Sequence, residues 1–344
     1  MAERIGWGVL GGAMIARTCV IPAISNSANG RLHVLGTRTH GRIDPALERA
    51  GFERICAGYE AVLADPEVDA VYIPLPNHLH HPWTLKALAA GKHVLCEKPL
   101  ALNAAQAREM AEAARRSGRL LMEAFMYRFH PRSRAIKALV DSGALGELRS
   151  VRAAFTFAMD AGTLAAGDNA RLRPDMGGGA LLDVGCYGVS LIRWLLAQEP
   201  VSVQAQAFYR HGVDVHLAGT MQFESGALGC LEAGFVAALQ QTYSAVGTRA
   251  AIEVPHNAFI PWEREALYTR REKGAEEGVV HRVPGVDEYR LMVDHFAAAV
   301  RGKEPLACDP EESVRNMEAL DALAQAARER ATVTLPASRD PQRV

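Results

Sequence analysis

Two regimes of hydrophobic patterning run along the chain, and they predict two kinds of architecture. Ile5 to Leu10 is a short apolar run ending at Gly11-Gly12, which reads as a strand and a turn. Met14 to Ala28 has helical spacing, with Pro22 marking a kink or restart. Leu32 to Thr37 reads as a second strand. Val68 to Pro74 is apolar nearly throughout, as a strand covered on both faces should be. Pro82 to Ala90 is a helix stopped by Gly91, and His93 to Cys96 another strand. Asn103 to Ser117 is a helix capped by Asn103, with Gln106 three residues on and Gly118 closing it. Arg119 to Ala124 is a further strand. Strands alternating with helices predict right-handed βαβ units around a parallel sheet.

The second regime starts after a helix from about Pro131 to Ser142, ended by Gly143. Val151 to Phe157 has strand composition, and Gly177-Gly178-Gly179 opens a helix from Ala180 to Ala197. Strand-like runs then follow without long helices between them: Val201 to Phe208, Val213 to Phe223, Ala227 to Phe235, Thr242 to Val246 and Ala250 to Val254. Val213, Val215 and Leu217 alternate with Asp214, His216 and Ala218, the period of a half-exposed strand, and Ser225-Gly226 is a hairpin turn. This predicts a mostly antiparallel sheet. Two helices close the chain, one from about Val286 to Val300, the other capped at Asp309 with Pro310 at its first position. The tail from Pro336 to Val344 reads as frayed.

Composition narrows the class rather than the function. The 344 residues are 49% hydrophobic and 22% charged, ordinary for a globular protein of about two domains. The formal net charge of −1 argues against a dedicated nucleic-acid or anionic-membrane binder. Six scattered cysteines form no C-x-x-C pair, and with the absence of a signal stretch or a transmembrane run they point to a reducing, cytoplasmic setting. No histidine pair has ligand spacing, so no metal is expected.

The turn after the first strand is Gly11-Gly12-Ala13-Met14-Ile15-Ala16. A dinucleotide turn wants small residues for a tight bend, for backbone approach to a pyrophosphate and for helix–strand packing. Here Gly11, Ala13 and Ala16 take those places, short of the strict glycine pattern. Alone, this reads equally as an ordinary α/β turn. The end of the second strand usually holds an acid for the ribose 2′-OH of NAD. This chain has Thr37-Arg38 instead, which suits the 2′-phosphate of NADP, although Arg38 could be a solvated loop residue.

Three further segments carry candidate chemistry: Pro76-Asn77-His78-Leu79-His80 after one strand, Glu97-Lys98-Pro99 after another, and Asp183 with Tyr187 on the helix opened by the glycines. The pair lies four residues apart, so both would share a helix face. With the Gly11 turn, Gly91 to Pro99 and Glu123 to Pro131, these segments make the chain resemble the Gfo/Idh/MocA oxidoreductases over nearly its whole length. It is most similar to the branch of glucose–fructose oxidoreductase, NADP-dependent D-xylose dehydrogenase and dimeric dihydrodiol dehydrogenase, where tyrosine stands in place of the histidine of many members.

The resemblance implies an α/β chain: a Rossmann domain over residues 1–124, then a substrate and dimerisation domain over 125–335 with an open, mainly antiparallel sheet. The C-terminal helices would pack back on the Rossmann domain. It implies NADP, with NAD possible, held by Gly11, Gly12, Ala13, Met14, Ile15, Thr37, Arg38, Pro76, Asn77, His80, Glu97 and Lys98. Lys98, Asp183 and Tyr187 would be catalytic, with Asp183, Tyr187 and Arg171 touching a sugar or cyclic polyol substrate. Arg171 reads equally as a surface-loop residue. Lys98-Pro99 would often be cis, and the sheet would pair two or four copies. The rival readings are a non-catalytic NADP-binding regulator, a reductase of a diketo- or anhydro-sugar, and a hydrolase or lyase that cycles its dinucleotide internally.

Overall fold

A computed structural model describes residues 4–38, 43–261 and 264–336, so Thr39, His40, Trp262 and the tail from residue 337 lie outside the described residues. The chain divides into two compact units, residues 1–129 with 287–314, and residues 130–286 with 315–344.

Among the described residues the first unit has a six-stranded parallel sheet of β1 (Ile5–Leu10), β2 (Gly30–Thr37), β3 (Arg54–Ala57), β4 (Ala70–Ile73), β5 (His93–Cys96) and β6 (Leu121–Glu123). Their order is β3-β2-β1-β4-β5-β6. Every residue of β1 and β4 is buried, which explains why both read as apolar runs without alternation. β1 and β4 lie side by side where the winding reverses, and the crevice at their carboxyl ends is where such sheets bind ligands. The helix Glu288–Val300 joins this unit, setting Phe296 against the buried Trp7 at 5.6 Å between ring centroids. The turn Met126–Phe129 packs on the same helix through Phe129 and His295, rings 5.0 Å apart, and so the unit extends past Ala124 to Phe129.

Capping explains the helix limits. Asn103 accepts the Gln106 N–H at 3.0 Å, and Asp309 accepts that of Glu312 at 2.8 Å. The helix after β1 departs from regular geometry: Ala16–Val20 is a π-turn just ahead of Pro22, and the helix ends at Ser25 rather than Ala28. A proline lacks the N–H that would close the preceding turn, and the widened turn absorbs that gap.

The second unit contains, among the described residues, a nine-stranded sheet. Its strands are β7 (Leu148–Ala158), β8 (Pro200–Arg210), β9 (Val213–Phe223), β10 (Leu228–Gly234), β11 (Val236–Gly247), β12 (Ala250–Val254), β13 (Ala266–Glu272), β14 (Val279–Val283) and β15 (Val333–Thr334), in the order β14-β13-β12-β11-β7-β10-β9-β8-β15. Only the β7–β10 pair is parallel among them, so the sheet is mainly antiparallel. A helical stretch, Pro174–Leu196, is long and apolar enough by composition to cross a membrane, yet 83% of its apolar window is buried inside the fold. It is a core helix.

Candidate functional site

The carboxyl edge of the parallel sheet collects the residues expected to hold a nucleotide. Gly11 follows β1 with φ +91°, and its N–H donates to the Gly36 carbonyl at 2.8 Å. A Cβ on Gly11 would stand 3.2 Å from the Leu75 side chain and from the Tyr59 hydroxyl, so the bend accepts only glycine. A Cβ on Gly12 would meet Leu47 at 2.3 Å. Ala13 is half-buried, and Met14, exposed, begins the helix with Ile15 behind it. The glycine bend therefore delivers the free N–H groups of a helix start to the crevice, a geometry that fits a pyrophosphate. Thr37 ends β2 with its hydroxyl 3.4 Å from the Cys56 carbonyl, and exposed Arg38 follows it. Burial pushes the Tyr59 hydroxyl up while the Arg38 charge draws it down, which puts Arg38 within electrostatic reach of the Gly11 bend. Sequence reasoning missed Tyr59, which stands in a short helix-flanking loop with no motif of its own.

The loop after β4 and the turn after β5 are built as one unit. Pro76 is exposed, and Asn77 opens a 3₁₀ turn to Leu79. His80 is fully buried, with Nδ1 2.8 Å from the Pro99 carbonyl and Nε2 2.7 Å from the Leu75 carbonyl. Burial brings its pKa down to about 4. It ties the β4 loop to the cis Lys98–Pro99 turn. Glu97 is buried as well: Tyr72 donates to it at 2.6 Å, the Lys98 N–H reaches its other oxygen at 3.3 Å, and burial pushes its carboxyl up. His80 and Glu97 were expected among the cofactor contacts. Their polar atoms are engaged by the protein itself, which ties both to the turn that carries Lys98, half-buried there.

A second buried acid supports the same turn. Glu123, at the end of β6, accepts the Leu100 N–H at 2.8 Å and is lifted to about 7, chiefly by burial, with Ser313 and Arg128 opposing. Its folded pKa exceeds its ordinary value near 4.5. The proton on Glu123 therefore stabilises the fold fully below about pH 4.5, and that contribution is lost as pH rises through about 7. Glu123→Gln is expected to flatten this dependence. In urea unfolding, the midpoint of the parent should fall more than that of the variant between about pH 6 and about pH 8. Equal falls would contradict the assignment.

In the second unit the candidate residues gather where the core helix begins. Its first turn, Leu181–Gly185, is a π-turn, and a regular helix continues from Cys186 to Leu196. π-turns of this kind concentrate at functional sites. Asp183 sits in the widened turn, and Tyr187, 5% exposed, follows in the first turn of the regular helix. The Tyr187 ring packs on Phe155 and Phe259, with centroids 5.5 and 5.4 Å away. Arg171 donates from Nε to the Asp183 carboxylate at 2.6 Å. Asp183 foremost, and then Tyr187, raise the Arg171 pKa, so one guanidinium bears on both groups. Arg171 is thus part of this constellation rather than a free loop residue.

The triple glycine explains how Arg171 gets there. Gly179 N–H donates to the Arg171 carbonyl at 2.9 Å, and Gly178 N–H to that of Arg173 at 3.0 Å. A Cβ on Gly178 would lie 2.6 Å from the Arg171 carbonyl oxygen, so only a bare backbone lets this segment dock. Elsewhere, His33, Glu53 and Glu67 bring three potential metal ligands together at the amino edge of the parallel sheet. Arg31 contacts all three, 2.9 Å from His33 and from Glu67, so the group reads as an ion-pair network.

Comparison with known proteins agrees with this architecture. Residues 5–125 match an oxidoreductase family with an NAD-binding Rossmann fold, and residues 133–253 match the Gfo/Idh/MocA C-terminal domain. The chain is 36% identical over 331 residues to D-xylose 1-dehydrogenase (NADP(+)) 2 of Haloferax volcanii, covering 96% of this chain and 99% of that one. It is 35% identical over 338 residues to a dTDP-3,4-didehydro-2,6-dideoxy-alpha-D-glucose 3-reductase of Streptomyces violaceoruber, covering 93% and 94%. Among solved structures, a 3-ketoreductase from Actinomadura kijaniata in complex with NADP and TDP-benzene superposes with a TM-score of 0.86 at 30% identity, covering 94% of this chain and 98% of that one.

Proposed function

The chain belongs to the Gfo/Idh/MocA oxidoreductase family, and from that premise we propose that it transfers hydride between NADP and a CH–OH or C=O carbon of a sugar or cyclic polyol. The observation that carries this reading is the constellation of Arg171, Asp183 and Tyr187 at a π-turned helix start. The Haloferax and Streptomyces relatives act on a sugar and on a dTDP-sugar, which supports the substrate class. When bound, the dinucleotide supplies the hydride acceptor or donor.

Each residue then has a task. Gly11, Gly12, Ala13, Met14 and Ile15 cradle the pyrophosphate. Thr37 and Arg38 take the 2′-phosphate, with the Arg38 fork suited to its oxygens. Pro76, Asn77 and Lys98 flank the nicotinamide end. In oxidation, the Tyr187 oxygen takes the proton of the substrate hydroxyl as its carbon becomes a carbonyl; in reduction it returns that proton. A phenol in water titrates near pH 10, so this role needs a nearby cation. Arg171, which interacts with Tyr187 electrostatically, supplies one. Asp183, held by Arg171, accepts a further substrate hydroxyl and fixes the sugar's orientation.

The test is turnover of a broad panel of aldoses, inositols and keto-sugars with NADP+ and with NADPH, followed by the near-ultraviolet absorbance of the reduced nicotinamide. Turnover of at least one polyol or keto-sugar is expected. NADP binding without any turnover would count against this reading and in favour of the non-catalytic regulator. The second sheet leaves Phe208, Leu239 and Val246 exposed, in keeping with self-association through that sheet. Sedimentation of the purified chain as a monomer would contradict that part of the proposal.

A further inference from the structure

We propose that Asp214 is a positioning residue that anchors the start of the helix carrying Asp183 and Tyr187. The inference rests on the oxidoreductase reading for its catalytic consequence, but its structural basis is separate. The first N–H groups of a helix have no intrahelical partner and normally take a local Ser, Thr, Asp or Asn cap. The chain here reads Gly177-Gly178-Gly179-Ala180, and Ala180 at the cap position offers no side-chain bond. The acceptor comes from β9 instead. Asp214 Oδ2 accepts the Leu181 N–H at 2.7 Å, and the Ala180 N–H also bonds the carboxylate.

Two features around Asp214 are built for this contact. Gly179 adopts φ +117°, and a Cβ there would lie 2.3 Å from Asp214 Oδ1, so any side chain would displace the carboxylate. Strand β9 also carries an irregularity at this point. Phe208 pairs with His216, but Tyr209 pairs with Asp214, so Val215 is the extra residue of a bulge. Plain alternation predicts Asp214 in the outward row with His216 and Ala218. The burial alternation of β9 continues through the bulge, and the Asp214 carboxylate there reaches the helix start. From there it holds the turn whose third residue is Asp183 and which leads directly into Tyr187.

The charged and titratable groups facing Asp214 are Tyr209 from β8 and Arg328 from the C-terminal helix. Burial lifts the Asp214 carboxyl to about 6, with the backbone N–H bonds and Arg328 pulling the other way. The carboxylate, a stronger acceptor than the neutral acid, is therefore lost as pH falls through about 6.

The experiment compares the full-length chain with Asp214→Ala, which removes the acceptor, and with Asp214→Ser, which keeps only a shorter hydroxyl acceptor, should the first fail to fold. Amide hydrogen exchange over Leu181 to Tyr187 is expected to rise roughly tenfold or more. With a substrate from the panel, kcat should fall roughly 10- to 100-fold while the dinucleotide KM stays within about twofold. The acid-side fall of kcat near pH 6 should disappear from the variant. Faster exchange in a chain inactive on the whole panel would overturn the oxidoreductase reading and leave the anchoring role standing. A folded variant with parental exchange, or with faster exchange and parental kcat in an active enzyme, would overturn the proposal.

Discussion

Tyr187→Phe is expected to lower kcat by roughly 10²- to 10⁴-fold, the usual contribution of a positioned proton-transfer group, with little change in stability. The substitution removes one oxygen and keeps the ring that packs on Phe155 and Phe259. It should therefore melt near the parental temperature and, since the residues proposed to hold the dinucleotide are unchanged, bind NADPH with near-parental affinity. Lys98→Ala should also lower kcat, since the half-buried ammonium at the turn after β5 is gone. Its proton-accepting group remains, so the double variant should cost less than the product of the two losses, as expected of residues that act together. Parental kcat in both single variants would remove the proposed chemistry altogether.

Arg38→Ala is expected to reduce kcat/KM for NADP+ by roughly 10- to 100-fold, the range set by hydrogen bonds to a charged group, and to leave that for NAD+ nearly unchanged. Arg38 is exposed at the end of β2, where an NAD enzyme would place an acid. A guanidinium there gains nothing from the neutral 2′-OH of NAD and a charge-assisted pair from a 2′-phosphate. The loss should shrink at high salt, because an exposed ion pair is screened. Equal losses with both dinucleotides would mean that Arg38 shapes the loop instead of reading the phosphate. Steady-state kinetics with the two cofactors separates these outcomes.

Much of the fold was legible because it follows from local rules. Uninterrupted apolar runs gave β1 and β4, the strands buried on both faces. Asn103 and Asp309 were read correctly as caps because a cap needs only its own side chain and the next few N–H groups. The strands β3, β13 and β14 did not show in the pattern. β3 is four residues long at a sheet edge, and β13 runs into Thr269-Arg270-Arg271-Glu272, whose half-buried and exposed side chains carry no apolar signal. β11 was expected only from Thr242. It begins at Val236, and its register against β7 shifts between Val236 and Gln240, which breaks the alternation.

The candidate site divides along the same line. Lys98, Asp183 and Tyr187 could be singled out by residue type and motif. What holds them could not, because the supports come from distant segments. His80 reaches Pro99, Glu123 reaches Leu100, and Asp214 reaches back to Leu181. The π-turns at Ala16–Val20 and Leu181–Gly185 are invisible to a count of helical period, since each inserts its extra width into an otherwise regular apolar stripe. In the sequence the glycine triplet reads as a helix opener. Only the segment docked against Gly178 and the carboxylate against Gly179 give the reason for it.

In the proposed reaction hydride passes directly between substrate carbon and nicotinamide. This is tested most directly with D-xylose, or whichever sugar turns over best in the panel, carrying deuterium at the carbon to be oxidised. The reaction is run with NADP+ to a single turnover and the cofactor is weighed by mass spectrometry. NADPH heavier by one deuterium is expected, with a primary isotope effect on the chemical step. Unlabelled NADPH, with the deuterium released to water or kept in the product, would contradict it.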